Sequence, residues 1–316
     1  MVGTFTDLPE LPRPGQPALP AWPGEQVAVG PYRLFVRRTP RYDGAEPAVY
    51  VHGLGGASTN WTDLMYLLAP RLAGTAIDLP GFGWSDPPPR RNYRLAMHVR
   101  AVEAYVEHSG GEPVHLLGNS LGGAVAVRLA AARPDLVRTL TLVSPALPSL
   151  RPQRPGDSQL LLLLVPGVAG LARRRLAHVD PETRGRAVLA ACFHEVGRVP
   201  AERLADAVAE IRRREELPWS ADALLGSLRG LVASYVVRGP SSLWADAART
   251  RCRTLIVWGR HDQLVSVRLA RRAHAVIPHS ELLVLEDGGH VSQMEHPREV
   301  AAAVAAMLMQ SAAKAA

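Results

Sequence analysis

Apolar positions along the chain follow two alternating rhythms. Short β-branched runs at residues 32–38, 47–52, 74–78, 113–118 and 136–143 predict strands. Between them, residues 60–71, 93–109 and 121–133 space their apolar side chains as helices do, with Leu95, Val99, Val102 and Val106 on one face. Strand and helix in turn predict an α/β fold built on a mostly parallel sheet. The rhythm stops after Val143. Residues 146–250 show helical periodicity, several prolines and no strand pattern, and are expected to form a helical cap, or lid. Alternation resumes with a strand at 253–258, a helix at 267–276, a strand at 280–285 and a helix at 297–309. The expected core is therefore residues 25–145 and 251–316, interrupted once by the cap. Before it, residues 1–24 carry Pro9, Pro12, Pro14, Pro17, Pro20 and Pro23 and predict an extended arm, ordered only where it lies against the body.

Composition narrows the functional classes. With 47% apolar and 21% charged residues among 316, the chain is an ordinary globular sequence and not a disordered one. Cys192 and Cys252 cannot make a disulfide scaffold and read as packing residues in a reducing, cytoplasmic setting. The formal charge is +7, and Lys314 is the only lysine among 36 basic residues. The arginines are dispersed. Their short clusters, Arg173 to Arg175 and Arg212 to Arg214, lie in helical patterns and read as solvated faces, so no nucleic-acid partner is expected. The longest apolar stretch, 160–172, is broken by Pro166 and Gly167 and falls short of the roughly 20 residues a membrane span needs. No basic segment followed by an apolar core opens the sequence, so no secretory leader is expected. The run of six apolar residues at 160–165 suggests a cap face that lines a pocket or makes weak peripheral contact with a membrane.

The strongest local chemical signal is Gly118-Asn119-Ser120-Leu121-Gly122, a G-x-S-x-G between an apolar strand and a helix. A serine on such a turn stands above the sheet edge, and the small residues on either side make room for a crowded backbone. A serine hydroxyl needs a base. His290, after two glycines and a late strand, has the loop and chain order for that role, while His52 is expected to buttress the glycine loop that it opens. Asp262, four residues past the strand at 253–258, is the candidate to hold the imidazole, giving the order Ser120, Asp262, His290. The candidate oxyanion donors are the backbone N–H of Leu121 and that of Leu54 in the loop His52-Gly53-Leu54-Gly55-Gly56, with His52, Gly53, Gly55, Gly118, Asn119 and Gly122 as supporting residues. Trp61, Trp84, Trp219 and Trp244 are candidate pocket walls, with packing beneath the oxyanion loop the expected alternative for Trp61.

With these motifs, and with Asp78-Leu79-Pro80-Gly81-Phe82-Gly83-Trp84-Ser85 and Glu295-His296-Pro297, the chain resembles the α/β-hydrolase superfamily over residues 25–310. The resemblance is to its serine-nucleophile branch. Epoxide hydrolases and haloalkane dehalogenases of this fold carry aspartate where this chain has Ser120. The elbow is also similar to that of the meta-cleavage C–C hydrolases, although the loop Gly53-Leu54-Gly55-Gly56-Ala57 and the Val291 that follows His290 depart from their pattern. The resemblance implies a serine hydrolase similar to esterases and monoacylglycerol lipases, working without a metal or organic cofactor, and the apolar cap run points to a small-molecule carboxylic ester with a hydrophobic, medium-to-long acyl group. C–C bond hydrolysis and acyl transfer are the alternatives.

Overall fold

The computed structural model describes residues 18–149 and 178–315 continuously, and residues 8–12, 16, 164, 165, 168, 170 and 175. Eight strands form one sheet in the order β1-β2-β4-β3-β5-β6-β7-β8. They are β1 (Gly24–Val29), β2 (Tyr32–Arg38), β3 (Glu46–Val51), β4 (Leu72–Ile77), β5 (Val114–Asn119), β6 (Val137–Val143), β7 (Arg253–Gly259) and β8 (Ser280–Leu285). From β4 to β8 every pairing is parallel, whereas β1 with β2 and β2 with β4 are antiparallel. The sequence pattern places seven of these strands to within two residues at either end. It misses β1, for a physical reason: this edge strand opens with exposed Gly24, Glu25 and Gln26, which leaves too short an apolar stretch to show a period.

Helices cover both faces, as parallel strands require. On one side lie α1 (Thr62–Leu68) and the long C-terminal helix Pro297–Ala315, with Leu64, Leu68, Val300 and Val304 in a core that also holds Trp61. On the other, α2 (Leu95–His108) and α3 (Leu121–Ala132) pack Val102, Val125 and Leu129 against the sheet. Between β6 and β7 the described residues hold no strand, and four α-helices can be followed from end to end: α4 (Pro181–Cys192), α5 (Ala201–Glu216), α6 (Ser220–Tyr235) and α7 (Leu243–Arg249). Asp180 and Ser242 cap the first and last of these through the N–H groups of Thr183 and Ala245. The last is anchored to α3, with Arg128 Nε donating to Asp246 at 2.8 Å. After β7 come α8 (Arg268–Val276), α9 (Ser292–Glu295) and α10, the C-terminal helix. The apolar run at 160–165 lies outside the described residues except for Leu164 and Val165. No described helix is long and apolar enough to cross a membrane.

The described part of the arm lies on the body. Leu8, Leu11 and Trp22 pack on the core beside α1, and Trp22 Nε1 donates to the Thr62 carbonyl at 3.1 Å. Arg203 of α5 ties three parts together. Its buried guanidinium donates to both carboxylate oxygens of Asp63 (3.0 and 2.7 Å), to Asp206 (2.8 Å) and to the Leu19 carbonyl (3.0 Å). Asp63→Ala would leave that charge short of its bidentate partner. The expected destabilisation is about 3 kcal/mol, the lower end for a broken buried pair because Asp206 remains. Chemical denaturation measures it, and an unchanged midpoint would show that the pair does not hold the inserted helices to the core.

Candidate active site

Ser120 sits between β5 and α3 with φ 51° and ψ −114°. A positive φ is costly for a residue with a Cβ, and it persists only where surrounding contacts over-determine it. Here they do. The Ser120 N–H donates to Val143 at 3.1 Å, and the Ser120 carbonyl accepts from Ala124 (3.1 Å) and Ala146 (2.9 Å). The turn also needs glycine at two points of close approach. A Cβ on Gly118 would run into the Gly122 carbonyl, and one on Gly122 into the carbonyls of Val51 and His52. Asn119 fastens the neighbouring loop, with Nδ2 donating to the carbonyls of Val143 and His290 at 3.1 Å each.

The structure brings His290 and Asp262 together. Nδ1 of His290 lies 2.9 Å from Asp262 Oδ2 and 3.1 Å from Oδ1, and both residues are buried. Asp262 Oδ1 also accepts the N–H groups of Leu264 and Val265, at 2.9 Å each. The same carboxylate thus shapes its own turn and holds the imidazole. Ser120 and His290 both line one cavity, as do Gly53, Leu54 and Asn119. Leu121 is the first residue of α3, so its N–H has no partner inside the helix.

His52 buttresses the glycine loop through a single tautomer. Its Nε2 accepts the Leu79 N–H at 2.9 Å, so the proton is on Nδ1, which donates to the Gly53 carbonyl at 2.7 Å. The Asp78 turn is built in the same manner. Buried Asp78 accepts the N–H groups of Ser58 (2.6 Å) and Trp84 (2.9 Å), while Ser85 Oγ donates to its carbonyl. Burial raises the Asp78 pKa, and the two backbone donors pull it back. The turn's motif therefore records a cross-link between two loops.

Burial pushes His52 down to about 4 and His98, on α2 with Nε2 2.9 Å from Ser227 Oγ, to about 3. Both depressed values lie below the ordinary 6.5 of an unfolded histidine, so the unfolded chain takes up these protons first as pH falls. Stability should therefore be full above pH 6.5 and drop by about 1.4 kcal/mol per pH unit for each histidine as pH falls from there towards 4. His98→Gln should lessen that slope by one histidine's share, read from urea unfolding between pH 6.5 and 4.5. An unaltered slope would mean that His98 is not held neutral.

With this geometry in place, relatives can be compared. The family described as alpha/beta hydrolase fold matches residues 47–297. The chain belongs to the α/β hydrolase family. It is 30% identical over 279 residues to the dihydrolipoyllysine-residue acetyltransferase component of the acetoin cleaving system of Cupriavidus necator, covering 86% of this chain and 67% of that one. A 2-hydroxy-6-oxononadienedioate/2-hydroxy-6-oxononatrienedioate hydrolase of Pseudomonas putida is 29% identical over 80% of this chain and 84% of its own. In fold, the meta-cleavage product hydrolase of Pseudomonas fluorescens IP01 superposes with a TM-score of 0.72 at 19% identity, over 91% of this chain and 98% of that one.

In this α/β hydrolase the cavity measures about 480 Å³ and lies under the inserted helices. Its wall is mostly aliphatic, with Leu54, Leu147, Leu189, Leu228, Leu231 and Met294 among its residues. None of the four tryptophans picked out from sequence is among the described lining residues. Trp61 is fully buried on Tyr50, and Trp84 is half-exposed with Arg213 stacked 3.4 Å above its ring. The cavity also has charged walls, which sequence did not foresee: Arg203 and Arg214 each pair with acidic residues, Arg214 with Glu210 at 2.9 Å. The Arg212 to Arg214 cluster is thus only partly a solvated face. Arg213 and Arg214, both half-buried, turn to the carbonyls of Gly83 and Gly55 in the loops below, which helical periodicity cannot reveal. Cys192, also in the wall, has its thiol pushed up to about 12 by burial first and then by the Asp262 charge, which leaves it inert at neutral pH.

Glu295 is a further residue whose task sequence missed, although its Glu-His-Pro pattern was visible. Oε2 accepts the Gly289 N–H at 2.6 Å, and Oε1 accepts those of His194 and Glu195 at 2.9 Å each. The His290 N–H donates to the Cys192 carbonyl at 2.7 Å. One carboxylate thereby joins the His290 loop to the end of α4.

Proposed function

We propose that this α/β hydrolase is a serine esterase acting on a neutral carboxylic ester with an apolar, medium-to-long acyl group, the class to which monoacylglycerols belong. The observation that carries this reading is the cavity: Ser120 and His290 stand in an aliphatic wall, and each charged side chain found among its described residues has an opposite partner. An apolar chain gains about 0.8 kcal/mol for each buried CH₂ in such a space. Paired arginines give little to a free carboxylate on the substrate.

In this reading Ser120 Oγ attacks the ester carbonyl and its proton passes to His290 Nε2. Asp262 keeps the other imidazole proton on Nδ1 and stabilises the cation that forms. The N–H groups of Leu54 and Leu121 receive the oxyanion. The intermediate collapses, and the alcohol departs with the proton from His290. Water then gives a proton to His290 and attacks the acyl-enzyme, and as the acyl–oxygen bond breaks His290 returns that proton to Ser120 Oγ, freeing the acid and the serine. Every proton moves between this chain, substrate and water.

The second reading is hydrolysis of a C–C bond in a ring-fission diketone, favoured by the likeness to the Pseudomonas putida 2-hydroxy-6-oxononadienedioate/2-hydroxy-6-oxononatrienedioate hydrolase. Acyl transfer is a variant of the same acyl-enzyme, in which an alcohol or thiol replaces water. Hydrolysis of p-nitrophenyl esters from acetate to palmitate, with Ser120→Ala as control, tests the proposal. Ser120-dependent turnover with an optimum at one chain length is the expected result. A folded protein inactive on the whole series would refute it and make the diketone the next substrate.

A further inference from the structure

We propose that Arg214, carried by the inserted helix α5, is a positioning residue for the oxyanion donor Leu54 N–H, acting through two peptide units of the glycine loop. The inference rests on the serine-hydrolase reading above.

The connection runs through named atoms. Arg214 Nη2 donates to the Gly55 carbonyl. The same peptide unit carries the Gly56 N–H, which donates to the Gly53 carbonyl at 3.0 Å. The Gly53 carbonyl shares its peptide with the Leu54 N–H. A trans peptide sets its N–H and C=O in opposite directions in one plane, so fixing one end aims the other. The guanidinium charge therefore lies at the head of a hydrogen-bonded chain whose free end is the proposed oxyanion donor. Such chains polarise each successive bond in the same sense. His52 Nδ1 supplies the second hydrogen bond to Gly53, from the core side.

Arg214 is itself held. Its Nε donates to Glu210 at 2.9 Å, one helical turn back, and the neighbouring Arg213 Nε donates to the Gly83 carbonyl at 2.6 Å. Successive arginines of α5 thus grip the glycine loop and the turn after Asp78, and the charges of Glu210 and Arg214 both reach His52. An inserted helix that only walled a pocket would not need to bond a loop carbonyl. This one sets the loop's peptide planes, so seating α5 and completing the oxyanion hole become one event.

The test compares wild type with Arg214→Met, Arg214→Lys and, as a control on α4, Arg186→Met, whose side chain is exposed and pairs only with Glu182 in the described structure. Two rates are read: kcat and KM on the best p-nitrophenyl ester, and phosphonylation of Ser120 by a fluorophosphonate, in which the serine oxygen displaces fluoride. Arg214→Met should lower kcat about tenfold or more at a nearly constant KM, less than the 10²–10³-fold typical of deleting a donor outright. Phosphonylation should slow in parallel. Arg214→Lys should recover part of both rates, since it keeps a charged donor for Gly55, and the control should match wild type. A rise in KM at constant kcat would overturn the proposal in favour of a plain wall residue. So would a lysine variant no better than methionine, or a control that fails equally. Should the methionine variant not fold, Glu210→Gln carries the test: a fall in kcat at constant KM supports positioning, and no change or a gain refutes it. Wild type that is phosphonylated but hydrolyses no ester overturns the ester reading alone, and the labelling rates then decide on Arg214. Wild type that is not phosphonylated overturns both.

Discussion

Ser120→Ala is expected to lower ester turnover by about 10⁴-fold or more with the fold unchanged. The hydroxyl is the atom that would form the acyl-enzyme, and the thiol of Cys192 in the same wall is pushed up to about 12 and stays protonated at neutral pH. The bonds that hold the elbow are made by the Ser120 main chain to Val143, Ala124 and Ala146, so the substitution removes none of them. Alanine also bears the positive φ as serine does. The measurement is kcat/KM on the preferred p-nitrophenyl ester beside a circular dichroism melt. Activity close to wild type in a folded variant would refute the elbow nucleophile.

Asp262→Asn is expected to be nearly as damaging, about 10⁴-fold in kcat, while stability changes little. The amide oxygen can still accept the N–H groups of Leu264 and Val265, so the turn survives. The amide nitrogen would then face His290 Nδ1. It only donates, so Nδ1 must become an acceptor and the imidazole proton must move to Nε2. That tautomer cannot take the Ser120 proton. Asp262→Ala gives the matching contrast, losing the turn bonds as well and melting lower. An asparagine variant within tenfold of wild type would place the acid on another residue.

The parts of the protein readable from sequence are those whose physical causes are local. Periodic and clustered apolar residues marked seven of the eight strands, the edge strand β8 among them through its run Leu282 to Leu285, and β1 was missed because it opens with exposed Gly24, Glu25 and Gln26. The turn at Gly118, Ser120 and Gly122 was legible because a tight strand-to-helix turn leaves room for few residue types, and Asp262 and His290 were picked out as candidates because they lie in loops that follow late strands. Only the tertiary structure decided what surrounds them. It set His290 against Asp262 across a separation of 28 residues, and it showed Asp262 serving its turn and the imidazole together. It also replaced the expected tryptophan walls by aliphatic ones and turned Arg213 and Arg214 from a solvated face onto the carbonyls of Gly83 and Gly55. An arginine's partner is fixed by which carbonyl the packed chain brings within reach, often more than a hundred residues away. Periodicity records which face of a helix is apolar and carries no information on what that face will meet.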